Sequence, residues 1–300
     1  MVAFSKSDRF VTGAWRRVTQ VWQSIPQDGG QQVQDLCKDF EKRSEIVQTN
    51  AQTRAGTTAV ITGGGRGFGK AFGHALAAEG AHAVLVDIDG ALAEAAAAEI
   101  RAGGGGATGI AGDVTDEARM NEVMVRAAGI NGGIDILINN AGLHSNEYGQ
   151  PILTMGLTKV KRLFDVNVIG VIACTLAGVP HMKGRVGANI INISSSAAHM
   201  GGSAYGDTKL AVAGLTITFA RELAPSAIRV NAISPGLMLT DTIAAELPPA
   251  TKARVKAMQL LADDGKEEHI VDAMMFLSSP RAKFITGEVL RVTGGMAAGI

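Results

Sequence analysis

Thr57-Thr-Ala-Val-Ile61, followed at once by Thr62-Gly-Gly-Gly-Arg-Gly-Phe-Gly69, is the stretch that decides the fold. An apolar run, a glycine turn and the helix-like segment Lys70 to Glu79 arrive in the order strand, turn, helix. Glycines let the chain turn tightly and approach a pyrophosphate, while a helix start offers unpaired N–H groups and a positive dipole end. A lone glycine pattern carries little weight, but here a second apolar run, Ala83 to Val86, ends in Asp87, 18 residues beyond Gly69. That is the place of an acid that accepts hydrogen bonds from ribose hydroxyls.

Working outward, short apolar runs alternate with longer amphipathic ones, the pattern of repeated strand-helix units in a parallel sheet. Strands are expected at 58–62, 82–87, 107–112, 134–139, 188–194, 227–232 and 288–292. Leu92 to Arg101 is alanine-rich and helical in propensity, and Gly103 to Gly106 reads as a turn. Asp113-Val-Thr-Asp116 opens the next helix, with Thr115 as candidate N-cap. Right-handed crossovers then give one doubly wound α/β domain over 56–300, with ligands at the carboxyl ends of the strands where the winding reverses.

A second constellation lies further on. Tyr205 and Lys209 stand four apart, which puts phenol and ammonium on one helix face, shortly after Ser194, Ser195 and Ser196. A free phenol titrates near about 10 and is a poor base at neutrality unless a fixed cation favours the phenolate. Lys209 is placed to be that cation, and a serine hydroxyl can hold a substrate oxygen while a proton moves.

In these residues the chain resembles the short-chain dehydrogenase/reductase family, from about Thr57 to the C-terminus. The motifs, in order, are Thr62-Gly63-x-x-x-Gly67-x-Gly69, Asp113-Val114, Asn139-Asn140-Ala141-Gly142, Asn167, a serine with Tyr205-x-x-x-Lys209, and Ser234-Pro235-Gly236 followed by Thr240. The resemblance implies a doubly wound (Rossmann) domain with a seven-stranded, mainly parallel sheet and helices on both faces. It also implies a nicotinamide cofactor and chemistry at an alcohol or carbonyl carbon, with Asn167, Ser195, Tyr205 and Lys209 as the catalytic set. Gly63, Gly67, Phe68 and Gly69 would form the turn at the pyrophosphate, with Arg66 inside it where some family members use a basic residue to meet a 2′-phosphate; Asp87 and Ile88 would hold the adenine-ribose end, and Asp113 and Val114 would flank the adenine. Asn140 and Gly142 would line the turn after the fourth strand, and Pro235, Gly236 and Thr240 the nicotinamide end. Lys209 would bind the nicotinamide ribose and lower the Tyr205 pKa, and Asn167 would hold a water. The interval from Ser195 to Tyr205 is ten residues, about three fewer than in many relatives. That leaves Ser194 and Ser196 as alternatives to Ser195, which is chosen as the second serine after Asn192-Ile193.

Charge argues for NAD over NADP, since Asp87 would repel a 2′-phosphate; Arg66 is the counter-argument. The substrate expected is a secondary alcohol or ketone, apolar or alicyclic, walled by His144 to Tyr148, the loop 199–202 and Leu237 to Leu261. Two other readings are an NADPH-dependent ketoreductase of acyl-carrier substrates, which Arg185 and Arg221 would meet, and a non-catalytic NAD sensor. Formal charge is zero and no basic cluster stands out, which speaks against a nucleic-acid partner. Two cysteines, Cys37 and Cys174, fit a reducing, cytoplasmic setting. The six histidines lack metal-ligand spacing, so no metal is expected, and no run approaches the roughly 20 apolar residues of a membrane span. Residues 1–55, with Trp15, Trp22 and several arginines, read as a mobile extension or a targeting segment. Self-association to a dimer or tetramer is expected through 156–183 and 203–224, with Val289 to Ile300 adding a contact.

Overall fold

A computed structural model describes residues 54–144, 148, 150–239 and 249–296, with the side chains of 249–251 excepted. The N-terminal expectations, with Trp15, Trp22 and Cys37, lie outside the described residues, as do Thr240 and the last four residues of the C-terminal contact.

Each apolar run becomes a strand: β1 (Thr58–Thr62), β2 (His82–Asp87), β3 (Gly106–Ala111), β4 (Ile136–Asn139), β5 (Asn189–Ile193), β6 (Arg229–Pro235) and β7 (Val289–Val292). They form one sheet in the order β3-β2-β1-β4-β5-β6-β7, with every pairing parallel. The chain winds outward from β1 to β3, returns to lay β4 on the other side of β1, and winds outward again. The reversal between β1 and β4 opens a crevice at the carboxyl edge. Strand β6 runs three residues past its expected end because Pro235 still pairs with Val292.

The helices are α1 (Gly67–Ala78), α2 (Gly90–Ala102), α3 (Glu117–Asn131), α4 (Leu157–Phe164), α5 (Gly170–Met182), α6 (Ala204–Leu223), α7 (Pro249–Ala257) and α8 (Glu267–Leu277), with a single turn at Ile152–Met155. Alternate strand residues point to opposite faces. Val60, Val84, Leu137 and Ile190 pack against Met124 of α3, Cys174 of α5 and Val212 of α6. Their neighbours Ile61, Leu85, Ile138 and Ile191 pack against Phe72 of α1, Ile100 of α2 and Met274 of α8. Both faces are covered, which explains why the strands read as continuous apolar runs.

Two expectations need correcting here. The cap of α3 is Asp116, whose carboxylate accepts the Arg119 N–H at 3.0 Å. Thr115 is diverted instead, its hydroxyl donating to Asp113 at 2.8 Å. Leu157–Met182 forms one 26-residue helical run apolar enough to cross a membrane by length and composition. Half of its most apolar window is buried in the fold, and Val171, Cys174 and Ala177 belong to the core, so its apolarity is that of a core helix.

Candidate active site

The glycine turn leaves β1 through Gly63, at φ 63, and the Gly64 N–H donates to the Val86 carbonyl at 2.9 Å. Helix α1 starts at Gly67, earlier than the sequence suggested, and its N-cap Arg66 is extended with no side-chain cap. The first-turn N–H groups are therefore left for an anion. A Cβ on Gly69 would collide with the Gly63 carbonyl oxygen, so only glycine lets the helix start sit against the turn. Asn140 laces the cradle from the far side of the switch. Its Nδ2 donates to the Thr62 and Gly63 carbonyls at 3.0 and 3.1 Å, while Thr62 Oγ1 accepts the Asn140 and Ala141 N–H groups, both at 3.1 Å. Thr62 opens the glycine motif, but its part in this lacing was not legible because its partners lie near residue 140. Phe68 turns inward and stacks on Phe72, 6.2 Å between centroids, so only its backbone faces the cradle. Arg66 and Gly67 are exposed.

Beside the cradle, the Asp87 carboxylate accepts the Gly65 N–H at 3.0 Å and the Asp89 N–H at 3.1 Å, which fixes its direction at the strand end. Ile88 is 66% exposed next to it. Asp113 accepts both the Thr115 N–H and hydroxyl through Oδ1, at 2.9 and 2.8 Å. Partial burial pushes its carboxyl up, but the Thr115 bonds and the Arg162 guanidinium outweigh this and hold it below the ordinary range. Val114 is buried against Gly170. Pro235 is buried, and the Gly236 N–H donates to the Val292 carbonyl at 2.9 Å.

The acid-base group gathers at the same edge. Ser203 caps α6 by accepting the Gly206 N–H at 3.1 Å, which puts Tyr205 in the first turn and Lys209 one turn deeper. The three serines separate by role. Ser194 is buried and its hydroxyl donates to the Lys209 carbonyl at 2.8 Å. Ser196 is buried too, whereas Ser195 is half-exposed and hydrogen-bonded to the Tyr205 phenol. Lys209 is 5% exposed, donates to the Ile193 carbonyl at 2.8 Å and lies 5.8 Å from the Tyr205 ring centroid. Burial pushes its ammonium down to about 8.

The Tyr205 pKa runs against the expectation that Lys209 lowers it. In the chain alone, burial raises the phenol above its usual value, with the Ser195 hydrogen bond opposing. Desolvation penalises the phenolate, and an ammonium that is itself desolvated does not outweigh that.

Asn167 sits in a widened helical turn, Asp165–Ile169, where the Gly170 N–H reaches back to the Asp165 carbonyl. This turn had no sequence signature. Asn167 is 0% exposed, and both its donors are used: Nδ2 donates to the Leu143 carbonyl and Thr208 Oγ1, both at 3.1 Å, while Oδ1 accepts the Leu143 N–H at 2.7 Å. It thus holds the strand-four turn against α6. A Cβ on Gly142 would stand 3.3 Å from both Asn167 Oδ1 and Lys209 Nζ, so its absence keeps the approach to the ammonium open.

Leu143, Tyr148 and Tyr205 pack against buried Met155, Leu163 and Ala204 in one apolar wall. Of the other expected walls, His199 and Met200 are exposed, and 145–147 and 240–248 lie outside the described residues. Arg185 is committed to Asp135 at the opposite edge of the sheet, which removes the support it lent to an acidic carrier. A cradle that a Cβ would fill, an open helix start, a carboxylate at the neighbouring strand end and an open path to Lys209 together fit a dinucleotide.

These features describe a doubly wound protein whose crevice fits a dinucleotide and has Ser195, Tyr205 and Lys209 gathered beside it. A family model described as enoyl-(acyl carrier protein) reductase matches residues 63–297. An uncharacterized oxidoreductase of Mycobacterium tuberculosis is 39% identical over 221 residues, covering 74% of this chain and 89% of that protein. The cis-4-hydroxycyclohexanecarboxylate dehydrogenase of Sinomonas cyclohexanicum is 34% identical over 226 residues, covering 74% and 89%. Among solved structures, 7α-hydroxysteroid dehydrogenase complexed with NADH and 7-oxo glycochenodeoxycholic acid superposes with a TM-score of 0.76 at 31% identity, covering 82% of this chain and 97% of that one. The chain belongs to the short-chain dehydrogenase/reductase family. It is an oxidoreductase of that type, acting on hydroxyl or keto groups.

Proposed function

We propose that the protein interconverts an alicyclic secondary alcohol and its ketone with NAD(H), using Tyr205 as the proton-transfer group, within a catalytic domain spanning 56–300. The observation that carries this reading is the contact of the Tyr205 phenol with the half-exposed Ser195 hydroxyl, beside a buried Lys209 ammonium that has no carboxylate partner among the described residues. A nicotinamide dinucleotide, when bound, supplies hydride acceptance or donation. Everything else falls to side chains. Ser195 orients the substrate oxygen, Tyr205 gives or takes its proton, and Lys209 holds positive charge beneath the phenol and offers donors to a ribose. Asn167 holds Leu143 and Thr208 in register so that the wall and α6 keep their spacing.

NAD is favoured because the Asp87 carboxylate, fixed between two N–H groups, would face a 2′-phosphate with a repulsion of a few kcal/mol. Arg66 is exposed and not aimed by any side-chain cap. The apolar wall of Leu143, Tyr148 and Met155 supports a ring-shaped hydrocarbon skeleton, as do relatives named for a hydroxycyclohexane and a hydroxysteroid. Exposed Leu157, Ile169 and Leu176 beside Leu210 and Ile217 support self-association through α4 to α6. Cys174, buried with its thiol pushed up to about 12, is inert, in keeping with a cytoplasmic setting.

The test is steady-state kinetics on cyclohexanols, hydroxysteroids and open-chain secondary alcohols of equal carbon number, each with NAD and NADP. Turnover of ring alcohols with a clear NAD preference is expected. A preference for NADP, or for open chains, overturns the corresponding half of the proposal.

A further inference from the structure

We propose that Gly206 is a positioning residue for proton transfer: the space left by its missing side chain seats the Ala197 backbone on α6, and Ala197 in turn holds the Ser195 hydroxyl against the Tyr205 phenol. The proposal rests on the reading of Ser195 and Tyr205 above and extends it to two residues that the family motifs leave open.

Only ten residues carry the chain from Ser195 to Tyr205, and it must reverse between them. It does so in a short turn, Ser196–His199, followed by Gly201 and Gly202 at φ 66 and 87, a left-handed pair that leads into the Ser203 cap of α6. Ser195 stands at the head of that turn. Its Oγ accepts the Ala197 N–H at 3.2 Å, and its carbonyl accepts the Ala198 N–H at 3.0 Å. A serine hydroxyl has one proton and two lone pairs, so the Ala197 bond leaves one lone pair and the proton for the phenol and a substrate oxygen. The other side of Ala197 meets α6. A Cβ on Gly206 would lie 2.6 Å from the Ala197 carbonyl oxygen and 3.3 Å from its carbon, so any residue but glycine would lift the turn off the helix. Nothing else calls for glycine there. Gly206 does not take a positive φ, and glycine inside a helix weakens it relative to alanine. One backbone unit thus spans the site, its N–H on the Ser195 hydroxyl and its carbonyl on the residue after Tyr205.

The test measures NADH binding by fluorescence and steady-state kinetics with the ring alcohol that the full chain turns over fastest among cyclohexanols and hydroxysteroids. The variants are Gly206→Ala, Ala197→Pro, Ser195→Ala and the double variant Ser195→Ala with Gly206→Ala. Gly206→Ala is expected to lower kcat about ten- to hundredfold, the scale of a displaced acid-base group, with NADH affinity within about twofold of the parent. Its pH midpoint for oxidation should move upward, because the Ser195 hydrogen bond is what lowers the phenol. Ala197→Pro removes the N–H at a first-turn position open to proline and adds no bulk to α6; it should give the same loss, and it carries the test if Gly206→Ala fails to fold. On the Ser195→Ala background Gly206→Ala should cost less than about threefold, since the hydroxyl that it displaces is already gone. A kcat of Gly206→Ala or Ala197→Pro within about twofold of the parent overturns the proposal. So does a loss from Gly206→Ala that is as large on the Ser195→Ala background as on the parent, the result that a merely structural role would give. Parental kcat in Ser195→Ala would instead overturn the reading of Ser195 itself, and this inference with it.

Discussion

The two edges of the sheet each hold a cation withdrawn from solvent, and they treat it differently. At the amino edge Arg185 is well partnered: Nε and Nη2 donate to the two Asp135 oxygens at 2.8 and 2.9 Å, and Nη1 and Nη2 reach the Asn131 and Gly56 carbonyls. Asp135 in turn accepts the Thr58 N–H at 2.8 Å. At the carboxyl edge Lys209 is more deeply buried, yet among the described residues it has one backbone carbonyl and no carboxylate. A buried charge with a full set of partners ties elements together, whereas one left short of partners is costly and marks chemistry. Accordingly Arg185 is pushed above its ordinary pKa by the Asp135 hydrogen bond, and Lys209 is pushed down to about 8 by burial.

Substitution separates the two edges most sharply. Lys209→Met should cost turnover about 10²–10⁴-fold while leaving the melting temperature unchanged or raised, because a poorly paired ammonium leaves the interior. Loss of stability with retained turnover would reverse the assignment of the edges. Asp135→Ala should do the opposite. It leaves the guanidinium without its counter-charge and the Thr58 N–H without its acceptor, and breaking a buried pair costs about 3–5 kcal/mol, discounted to about 2–3 for the partial exposure of Arg185. Denaturant unfolding reads that loss, and kcat should stay within about twofold of the parent if the amino edge takes no part in catalysis.

Asp87→Ser sharpens the comparison within the carboxyl edge. The ratio of kcat/KM for NAD to that for NADP should fall by about tenfold or more, since a charge repulsion of a few kcal/mol is removed. The smallest effect is on stability against pH. The Lys209 pKa falls from an ordinary 10.5 to about 8 in the fold, so between those values the unfolded chain binds the extra proton and stability rises with pH. Melting temperatures between pH 8 and 9.5 should show that rise in the parent, and Lys209→Met should lack it.

Much of this was legible in the sequence, for identifiable reasons. Strands covered on both faces must be apolar throughout, so seven runs gave seven strands, with the ends off by a residue or two except at β6. The glycine turn was legible because a close backbone approach leaves room only for glycine, as at Gly69. What stayed hidden depended on partners distant in the chain. Asn139 stood in the motif after the fourth strand with no partner legible, but its amide donates to Thr175 and Asn192, and Asn192 donates to Thr216, a polar chain buried under the site. Thr115 and Asp116 were equally competent caps until Asp113 claimed the threonine. The direction of the Tyr205 shift was missed because spacing reports a neighbour's charge, whereas desolvation is a property of the folded whole.

The raised phenol pKa also sets the direction of the pH profile. With Tyr205 as the proposed proton-transfer group, a phenol raised by burial means that alcohol oxidation should accelerate as pH rises into the alkaline range while ketone reduction declines.

The central claim is that Tyr205 moves the proton while the rest of the edge only binds and positions. Its most direct test is transfer of deuterium from the carbinol carbon of a labelled ring alcohol to NAD, followed in a single turnover for the parent and for Tyr205→Phe at matched NADH affinity. The account predicts label transfer by the parent and a rate lower by about 10²–10⁴-fold in the variant. Transfer at a near-parental rate by Tyr205→Phe would contradict it.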